Sequence, residues 1–243
     1  MDCICTSEDI KKLGTILGIW AHPDDEMFSM AGIMAAAVRN GQKVIIITAT
    51  RGELGVQDSN RWPAEQLATI RTKELEQAYE ILGVKHHHWL DYPDGGCEKI
   101  SEDEAVARIA GYIQTYQPDS ILTFGVDGMT GHKDHCAVSG WVGKSINSVG
   151  CKAKLYHAIQ TEEQYDAMVE ADKQFNIFFN IDKPRVCSRG ACSIHFELND
   201  KLYQQKLKAL KAMESQTEGI LKVFEDSLRV SFSTEVFLIA GKD

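Results

Sequence analysis

Three apolar runs, each followed by a helix pattern, constrain the fold of this chain most strongly. Residues 15–20, 44–48 and 120–124 are almost continuously apolar, as parallel strands are when helices cover both faces of a sheet. Helix patterns follow these runs over residues 28–39, 64–82 and 136–148. This alternation predicts a parallel sheet with helices on both faces.

The remaining elements extend this sheet. Residues 101–104 read as a capping box that opens a further helix. Short strands are predicted at residues 155–159, 176–181 and 235–240, and an amphipathic helix at residues 199–214. We therefore predict an α/β fold: a Rossmann-like, mostly parallel sheet with helices on both faces, extended by C-terminal short strands and a helix. Residues 1–243 are assigned to a single domain.

Composition excludes several classes of protein. The net charge of −9 over 243 residues provides no basic stripe for a nucleic acid. No apolar run reaches the roughly 18 residues of a membrane span. The seven cysteines are odd in number and scattered, which favours free thiols in a reducing cytoplasm over a disulfide framework. We therefore expect a cytoplasmic protein with no nucleic-acid partner and no membrane span.

Acidic and histidine residues cluster directly after two of the predicted strands. Residues 22–26 read His-Pro-Asp-Asp-Glu, and residues 131–135 read Gly-His-Lys-Asp-His. Residues 51–53 and 91–96 follow two neighbouring strands. Because the carboxyl ends of parallel strands meet at the edge where α/β proteins bind ligands, we expect all four loops to lie together.

The residue types in this group are those of a divalent metal site. A catalytic zinc site usually has three protein ligands and one position open for water. Five groups compete for the three places: His22, Asp24, Asp25, His132 and His135. The two left over fit a base and an oxyanion stabiliser, which hydrolysis also requires. The residues predict a metal-dependent hydrolase and leave the assignment of ligands open.

At these residues the chain resembles the zinc-dependent de-N-acetylase family. This PIG-L/LmbE-like family includes N-acetylglucosaminyl-phosphatidylinositol de-N-acetylases and the deacetylases and amidases of mycothiol and bacillithiol metabolism. Residues 50–53, 71–74 and 92–95 also look like family positions, with a weaker echo at residues 207–216. One departure is Met213, where the family often has a histidine.

The resemblance implies a role for each residue of the catalytic set. His22, Asp25 and His135 would be the metal ligands. Asp24 would be the general base that takes a proton from metal-bound water. His132, oriented by Asp134, would be protonated and stabilise the tetrahedral oxyanion.

The resemblance also implies the substrate and the metal. Arg71 and Asp94 resemble positions that hold sugar hydroxyls, and Arg51 lies near the acyl end. The expected reaction removes an N-acyl group, typically acetyl, from an amino sugar such as N-acetylglucosamine or from its small-molecule conjugate. The expected cofactor is Zn²⁺, with Fe²⁺ as the alternative in the cell, and a homo-oligomer is left open.

Three alternatives remain at this point. The first is an amidase of a thiol–sugar conjugate that uses the same site. The second is a non-haem iron oxygenase, which also uses two histidines and a carboxylate but usually on an antiparallel fold. The third is a sugar-binding protein, which the retained Asp24 and ligand residues disfavour.

Overall fold

The computed structural model describes residues 3–178, 180–224 (without the side chain of Phe224) and 229–241. Its strands are β1 (Ile16–Trp20), β2 (Val44–Thr50), β3 (His86–Tyr92), β4 (Ser120–Phe124), β5 (Lys154–Ala158), β6 (Gln160–Thr161), β7 (Val186–Cys187), β8 (Ile194–Glu197) and β9 (Thr234–Ile239). Its α-helices are α1 (Asp25–Arg39), α2 (Ala64–Leu82), α3 (Glu102–Tyr116), α4 (Lys133–Ser148), α5 (Glu162–Phe175), α6 (Asp200–Lys211), α7 (Glu214–Phe224) and α8 (Arg229–Phe232).

A seven-stranded sheet forms the centre of the molecule, in the order β3-β2-β1-β4-β5-β9-β8. The strands from β3 to β5 are parallel, and β9 runs antiparallel to both β5 and β8. The two short strands β6 and β7 pair separately. The predicted α/β fold with a mostly parallel sheet and a C-terminal extension is confirmed.

The order of strands explains where a site can form. β1, β2 and β4 are buried along their whole length, as their apolar sequences require. The chain moves outward from β1 to β2 and β3, and then returns to place β4 on the other side of β1. Such a reversal opens a crevice at the carboxyl ends of the two central strands, where ligands bind in this class of fold.

Several predicted boundaries shift. The helices predicted to begin at residues 28 and 136 begin at Asp25 and Lys133, so the acidic and histidine clusters enter the first turns of α1 and α4. Carboxylates are stabilising at a helix N-terminus, which accounts for the early start of α1. Ser101 precedes α3, but its side chain makes no capping hydrogen bond, so that predicted capping box is wrong.

The predicted strand at residues 176–181 is also wrong. The described residues of this segment, which exclude position 179, form a turn after helix α5. A capping box of Thr161 and Gln164 begins α5, and Asn176, with φ of 51°, ends it in the left-handed conformation. The polar composition of this helix hides it from a search for apolar periodicity.

A buried ion pair supports an interruption in α1. Met30 has non-helical backbone angles, φ −145° and ψ 18°, in the middle of this helix. The Glu235 carboxylate accepts hydrogen bonds from the N–H groups of Gly32 and Ile33, both at 2.7 Å. Lys206 Nζ donates to the carbonyl of Phe28 at 2.7 Å and to Glu235 at 2.8 Å. The pair therefore satisfies backbone groups that the interruption would otherwise leave buried without partners.

Within the described residues, no helix combines the length and the apolar character needed to cross a membrane.

Candidate metal centre

The two acidic and histidine clusters meet at the carboxyl ends of β1 and β4. The loop after β1 supplies His22, Asp24 and Asp25, and the start of α4 supplies His132 and His135. The backbone N–H of His22 donates to Asp25 Oδ2 at 2.7 Å, which fixes this turn. The structure therefore brings together the five side chains that the sequence offered as candidates for the three ligand positions.

Three side chains point their ligand atoms at one another. His22 Nδ1 lies 3.1 Å from His135 Nε2, and His135 Nε2 lies 3.3 Å from Asp25 Oδ1. His22 Nδ1 lies 3.6 Å from Asp25 Oδ2. Ligands about 2.0–2.1 Å from a tetrahedral ion are separated from one another by about 3.3 Å. The spacing and the donor types therefore fit a divalent cation such as zinc.

Hydrogen bonds on the far sides of the rings hold both histidines in this orientation. His135 Nδ1 lies 2.8 Å from the carbonyl oxygen of Gly128, which places the lone pair on Nε2. His22 Nε2 lies 3.0 Å from Asp94 Oδ1 and 3.3 Å from Asp134 Oδ2. Histidine ligands of metals almost always have such partners on the second nitrogen, because these fix the tautomer and the ring.

Two other groups of described residues have ligand atoms within 4.8 Å of one another. These are His22 with His132 and His135, and His22 with Asp94 and Asp134. Asp134 already accepts hydrogen bonds from the N–H groups of Gly95 at 2.8 Å and Cys97 at 3.0 Å. Its lone pairs are therefore partly used, which disfavours Asp134 as a metal ligand.

The charges of the three central groups are strongly coupled. Burial alone would raise the pKa of Asp25, but His135 and His22 lower it below its usual range. Burial lowers the pKa of His135 to about 4, so this imidazole is neutral at pH 7. Burial also acts to lower the pKa of His22, but hydrogen bonds to Asp134, Asp25 and Asp94 raise it well above its usual value. A protonated His22 then offsets the negative charges of Asp25, Asp94 and Asp134. A bound metal cation would supply that positive charge instead.

Asp24 lies beside this cluster in an unusual backbone conformation, with φ of 108°. Arg71 is buried and lies 3.1 Å from Asp24 Oδ2 through Nη2. Arg71 Nη1 also donates to the carbonyl of Gly52 at 2.7 Å. Burial raises the pKa of Asp24 to about 7, although Arg71 acts to lower it. A carboxyl group with such a pKa can exchange protons near neutral pH.

Gly52 makes room for this arginine. A Cβ atom at position 52, where φ is +66°, would lie 2.2 Å from Arg71 Nη1. The tight turn after β2 therefore requires glycine both for its conformation and for the close approach of the guanidinium group.

His132 is held at the start of α4 next to both other histidines. Its ring centre lies 4.7 Å from that of His22 and 5.0 Å from that of His135. Nδ1 accepts a hydrogen bond from the backbone N–H of Asp134 at 3.2 Å. Burial and the charge of His22 lower the pKa of His132, which works against the protonated form that the family resemblance implies.

The three predicted substrate residues all have protein partners in the structure. Asp94 contacts His22 and accepts from the N–H of Leu54 at 2.8 Å. Arg51 forms an ion pair with Asp91 at 2.8 Å and lies over the Trp89 ring at 4.0 Å. Arg71, as described above, holds Asp24. Their roles toward a substrate stay predictions.

The segment around Met213 braces the site without reaching the metal ligands in the contacts described. Met213 is fully buried. Ser215 Oγ donates to Glu74 at 2.6 Å, and Gln216 Nε2 donates to the carbonyl of Gly55 at 2.9 Å. This segment therefore ties α7 to α2 and to the loop after β2.

Sequence reasoning missed two contributors to the site. Glu53 Oε1 accepts from the N–H of Asp94 at 3.0 Å, and it lies in the 50–53 motif that the sequence singled out. The carbonyl of Gly128 orients His135, but a backbone oxygen leaves no signal in a sequence. A large apolar cavity beside Asp25 and His135 was also missed, because its walls come from separate elements.

Comparison with known proteins identifies the family. Residues 17–144, more than half of the chain, match the family model described as PIG-L, GlcNAc-PI de-N-acetylase. The chain belongs to this family. The matched residues contain all of the loops that converge on the candidate metal centre.

Two relatives are similar to this chain over about half of its length. The 1D-myo-inositol 2-acetamido-2-deoxy-alpha-D-glucopyranoside deacetylase of Kineococcus radiotolerans is 34% identical over 151 residues, covering 51% of this chain and 42% of that protein. The mycothiol S-conjugate amidase of Streptomyces coelicolor is 30% identical over 139 residues, covering 49% of this chain and 47% of that protein. The chain therefore spans less than half the length of these two relatives.

The N,N'-diacetylchitobiose deacetylase of Pyrococcus horikoshii shares the fold. The two structures have a TM-score of 0.68 at 22% identity, covering 96% of this chain and 86% of that chain. The alignment extends the likeness beyond the family match, to the C-terminal strands and helices.

Proposed function

We propose that this chain is a divalent-metal-dependent hydrolase that removes an N-acyl group from an amino sugar or its conjugate. The observation that carries the proposal is the convergence of His22 Nδ1, Asp25 and His135 Nε2, with separations of 3.1 to 3.6 Å. Membership of a de-N-acetylase family supports the reaction type. We assign these three residues as the metal ligands, with Zn²⁺ as the cofactor and Fe²⁺ as the alternative in the cell.

When bound, such a cation supplies Lewis-acid chemistry, which activates water and polarises the amide carbonyl. Asp24 is the proposed general base, because its pKa of about 7 lets it accept a proton near neutral pH. Arg71 holds the Asp24 carboxylate in place. The same carboxyl group, once protonated, can give its proton to the departing amine.

His132 is the proposed donor to the oxyanion. Because Nδ1 accepts from the N–H of Asp134, the proton of a neutral ring is on Nε2. The ring can therefore donate a hydrogen bond even though burial lowers its pKa. Loss of one such donor typically lowers kcat by about 10²- to 10³-fold. Asp134 orients His132 through its backbone, and it orients His22 through its carboxylate.

We further propose that Arg71, Asp94 and Arg51 border the sugar and acyl ends of the substrate. Asp94 has the strongest support, because its carboxylate touches the proposed ligand His22. We also propose that residues 1–243 act as one domain in the cytoplasm. A continuous apolar core from Ile4 to Phe237 supports one domain, and free cysteines support a reducing compartment.

An amidase acting on a thiol–sugar conjugate is the second candidate. The mycothiol S-conjugate amidase from Streptomyces supports it, since that relative is 30% identical to this chain over 139 residues. Both reactions cleave an amide bond, so the metal centre serves either one. Which of the two reactions the enzyme catalyses depends on which part of the substrate binds in the space beside the metal centre.

The test is hydrolysis by protein stripped of metal and reloaded with Zn²⁺, or with Fe²⁺ under anaerobic conditions. The substrates are N-acetylglucosaminyl-inositol, N,N'-diacetylchitobiose and a mycothiol S-conjugate. We expect release of a primary amine only after reloading. Absence of amine release from every substrate by metal-loaded protein would contradict the proposal. Preference for the S-conjugate would select the amidase.

A further inference from the structure

A cavity of about 490 Å³ opens beside the candidate metal centre. Asp25 and His135 form part of its wall, so the cavity is continuous with the centre. Its other walls come from residues 28–130, inside the family match at residues 17–144, and from residues 158–236, outside it. The cavity therefore joins the family-matched part of the chain to the C-terminal segment that the match does not cover.

The walls of the cavity are mainly apolar. Large side chains from several separate elements face it: Phe28, Phe124, Met168, Phe178, Ile220 and Phe232. The rings of Phe28 and Phe232 lie 5.6 Å apart at their centres. Such walls favour an apolar occupant, because each buried methylene gains about 0.8 kcal/mol on leaving water.

Two buried polar side chains in the lining, Gln164 and Glu235, are already bonded within the protein. Gln164 Nε2 donates to the carbonyls of Ser231 at 3.1 Å and Thr234 at 2.8 Å, and its Oε1 accepts from the N–H of Thr161 at 3.0 Å. Glu235 is used by α1 and Lys206. Gln160 Oε1 is buried and has no partner among the described residues.

Apolar walls with internally bonded polar side chains are unsuitable for binding a further sugar unit of the substrate. Several hydroxyl groups would exchange water for a mainly apolar wall in which Gln164 and Glu235 are already engaged, and unpaired buried polar groups are costly. Two charged lining residues, Arg61 and Glu214, are about half exposed and pair with each other at 2.6 Å. An apolar chain fits the interior better than a carbohydrate does.

The size of the cavity also exceeds what an acetyl group needs. A methyl group is about as large as a water molecule, which occupies about 30 Å³ in the liquid. At about 30 Å³ per carbon, a chain of eight carbons would fill roughly half of the cavity. Asp24, Asp94 and Arg71, which we place at the other side of the centre, are not part of the lining.

We propose that this cavity binds the acyl chain of the substrate, and that the preferred acyl group has about six to eight carbons. The inference rests on the proposed function, because it places the amide at the metal centre and the amine-bearing sugar on the side of Asp94. It differs from that proposal at one residue: Arg51 is not in the lining, so the acyl chain would lie away from it. It makes the chain an N-acyl hydrolase whose selectivity for the acyl group comes from this cavity.

The first experiment compares N-acetyl, N-hexanoyl and N-octanoyl glucosamine with the octyl glycoside of N-acetylglucosamine, using metal-loaded protein. We expect kcat/KM to rise about three- to fourfold per methylene, so that octanoyl exceeds acetyl by at least about 100-fold. Equal or better cleavage of the acetyl substrate would overturn the inference. A larger gain from the octyl glycoside would also overturn it, because the apolar group would then sit on the sugar side.

A binding measurement separates this inference from the proposed function. Acetate, hexanoate and octanoate are titrated into the metal-loaded protein by calorimetry, with no turnover required. We expect octanoate to bind about tenfold more tightly than hexanoate. If chain length changes neither affinity nor rate while acetylated sugars are cleaved, the inference fails and the function stands. If octanoate binds tightly and no amide is cleaved, the function fails and the apolar site stands.

A matched pair of variants locates the effect. Ile177 lines the cavity from the partly exposed turn after α5, so Ile177→Asp puts a carboxylate in its wall. We expect the ratio of kcat/KM for octanoyl over acetyl substrate to fall at least about tenfold. Val223→Asp is the control, because Val223 is 54% exposed and is not in the lining. An unchanged ratio in Ile177→Asp, or the same fall in Val223→Asp, would contradict the assignment.

Discussion

The two sides of the metal centre differ in how their polar groups are used. On the side of β2 and β3, carboxylates and arginines contact one another and the histidines, as Arg71 does with Asp24 and Asp94 with His22. On the side of β5 and the C-terminal helices, polar side chains such as Gln164 bond the protein itself and leave apolar walls. The first side is suited to chemistry and the second to selection of an apolar group.

The largest expected effect comes from a substitution on the polar side of the metal centre, which is the side of β2 and β3. Asp24→Asn removes the proposed base while keeping a residue that tolerates a positive φ. We expect kcat to fall by about 10³-fold with the metal content unchanged. Steady-state kinetics and metal analysis measure both, with Asp103→Asn, an exposed position on α3, as the control. Turnover close to that of the unmodified protein would remove Asp24 from the mechanism.

The next largest effect concerns the buried ion pair of Lys206 and Glu235 on the apolar side of the metal centre, where Glu235 lines the cavity. Lys206→Met leaves Glu235 charged and unpaired in a site where both side chains are fully buried. We expect the free energy of unfolding to fall by about 3–5 kcal/mol, measured by chemical denaturation. Lys208→Met, an exposed change on the same helix, should have little effect.

A double variant sharpens this test. Adding Glu235→Gln to Lys206→Met removes the uncompensated charge, so part of the lost stability should return. A double variant that is less stable by the sum of both single losses would show that the pair does not act as a unit.

The smallest effect concerns His87, on the polar side. Burial, with the nearby charges of His88 and Arg51, lowers the pKa of His87 to about 3. Between about pH 6.5 and pH 3 the unfolded chain binds a proton that the folded chain does not, so stability falls as the pH falls. The contribution is about 1.4 kcal/mol per pH unit.

The His87→Gln variant should therefore lose less stability than the unmodified protein between pH 6 and pH 5. Denaturation at these two values measures the difference. His86→Gln, at an exposed position of the same strand, should keep the full dependence. An equal dependence in His87→Gln would show that His87 is not the group responsible.

The same contrast explains what could be predicted from sequence. The boundaries of α2 and β4 follow directly from local periodicity, and the loops after β1 and β4 follow from the rule for strand ends. The contacts of Arg71 with Pro23 and Gly52 depend on tertiary packing, so no local pattern indicates that this arginine holds Asp24. Its pattern resembled a substrate contact instead.

The apolar side resisted prediction for a related reason. Its wall combines Phe28, Phe124 and Phe232, which are far apart in sequence, and each reads locally as an ordinary core residue. The apolar residues within 176–181 predict a strand, whereas Ile177 and Phe178 line the cavity from a turn. His87 shows the same limit, because its hydrogen bond with Thr48 at 3.0 Å joins two strands and leaves no local signal.

Zinc affinity across four variants tests the central claim most directly, by equilibrium dialysis against a competing chelator. We predict one ion per chain, with affinity reduced at least about 100-fold in Asp25→Asn and His135→Ala and far less in His132→Ala and Asp24→Asn. Loss of the ion in His132→Ala together with full affinity in Asp25→Asn would contradict the claim, because a different set of side chains would then hold the metal.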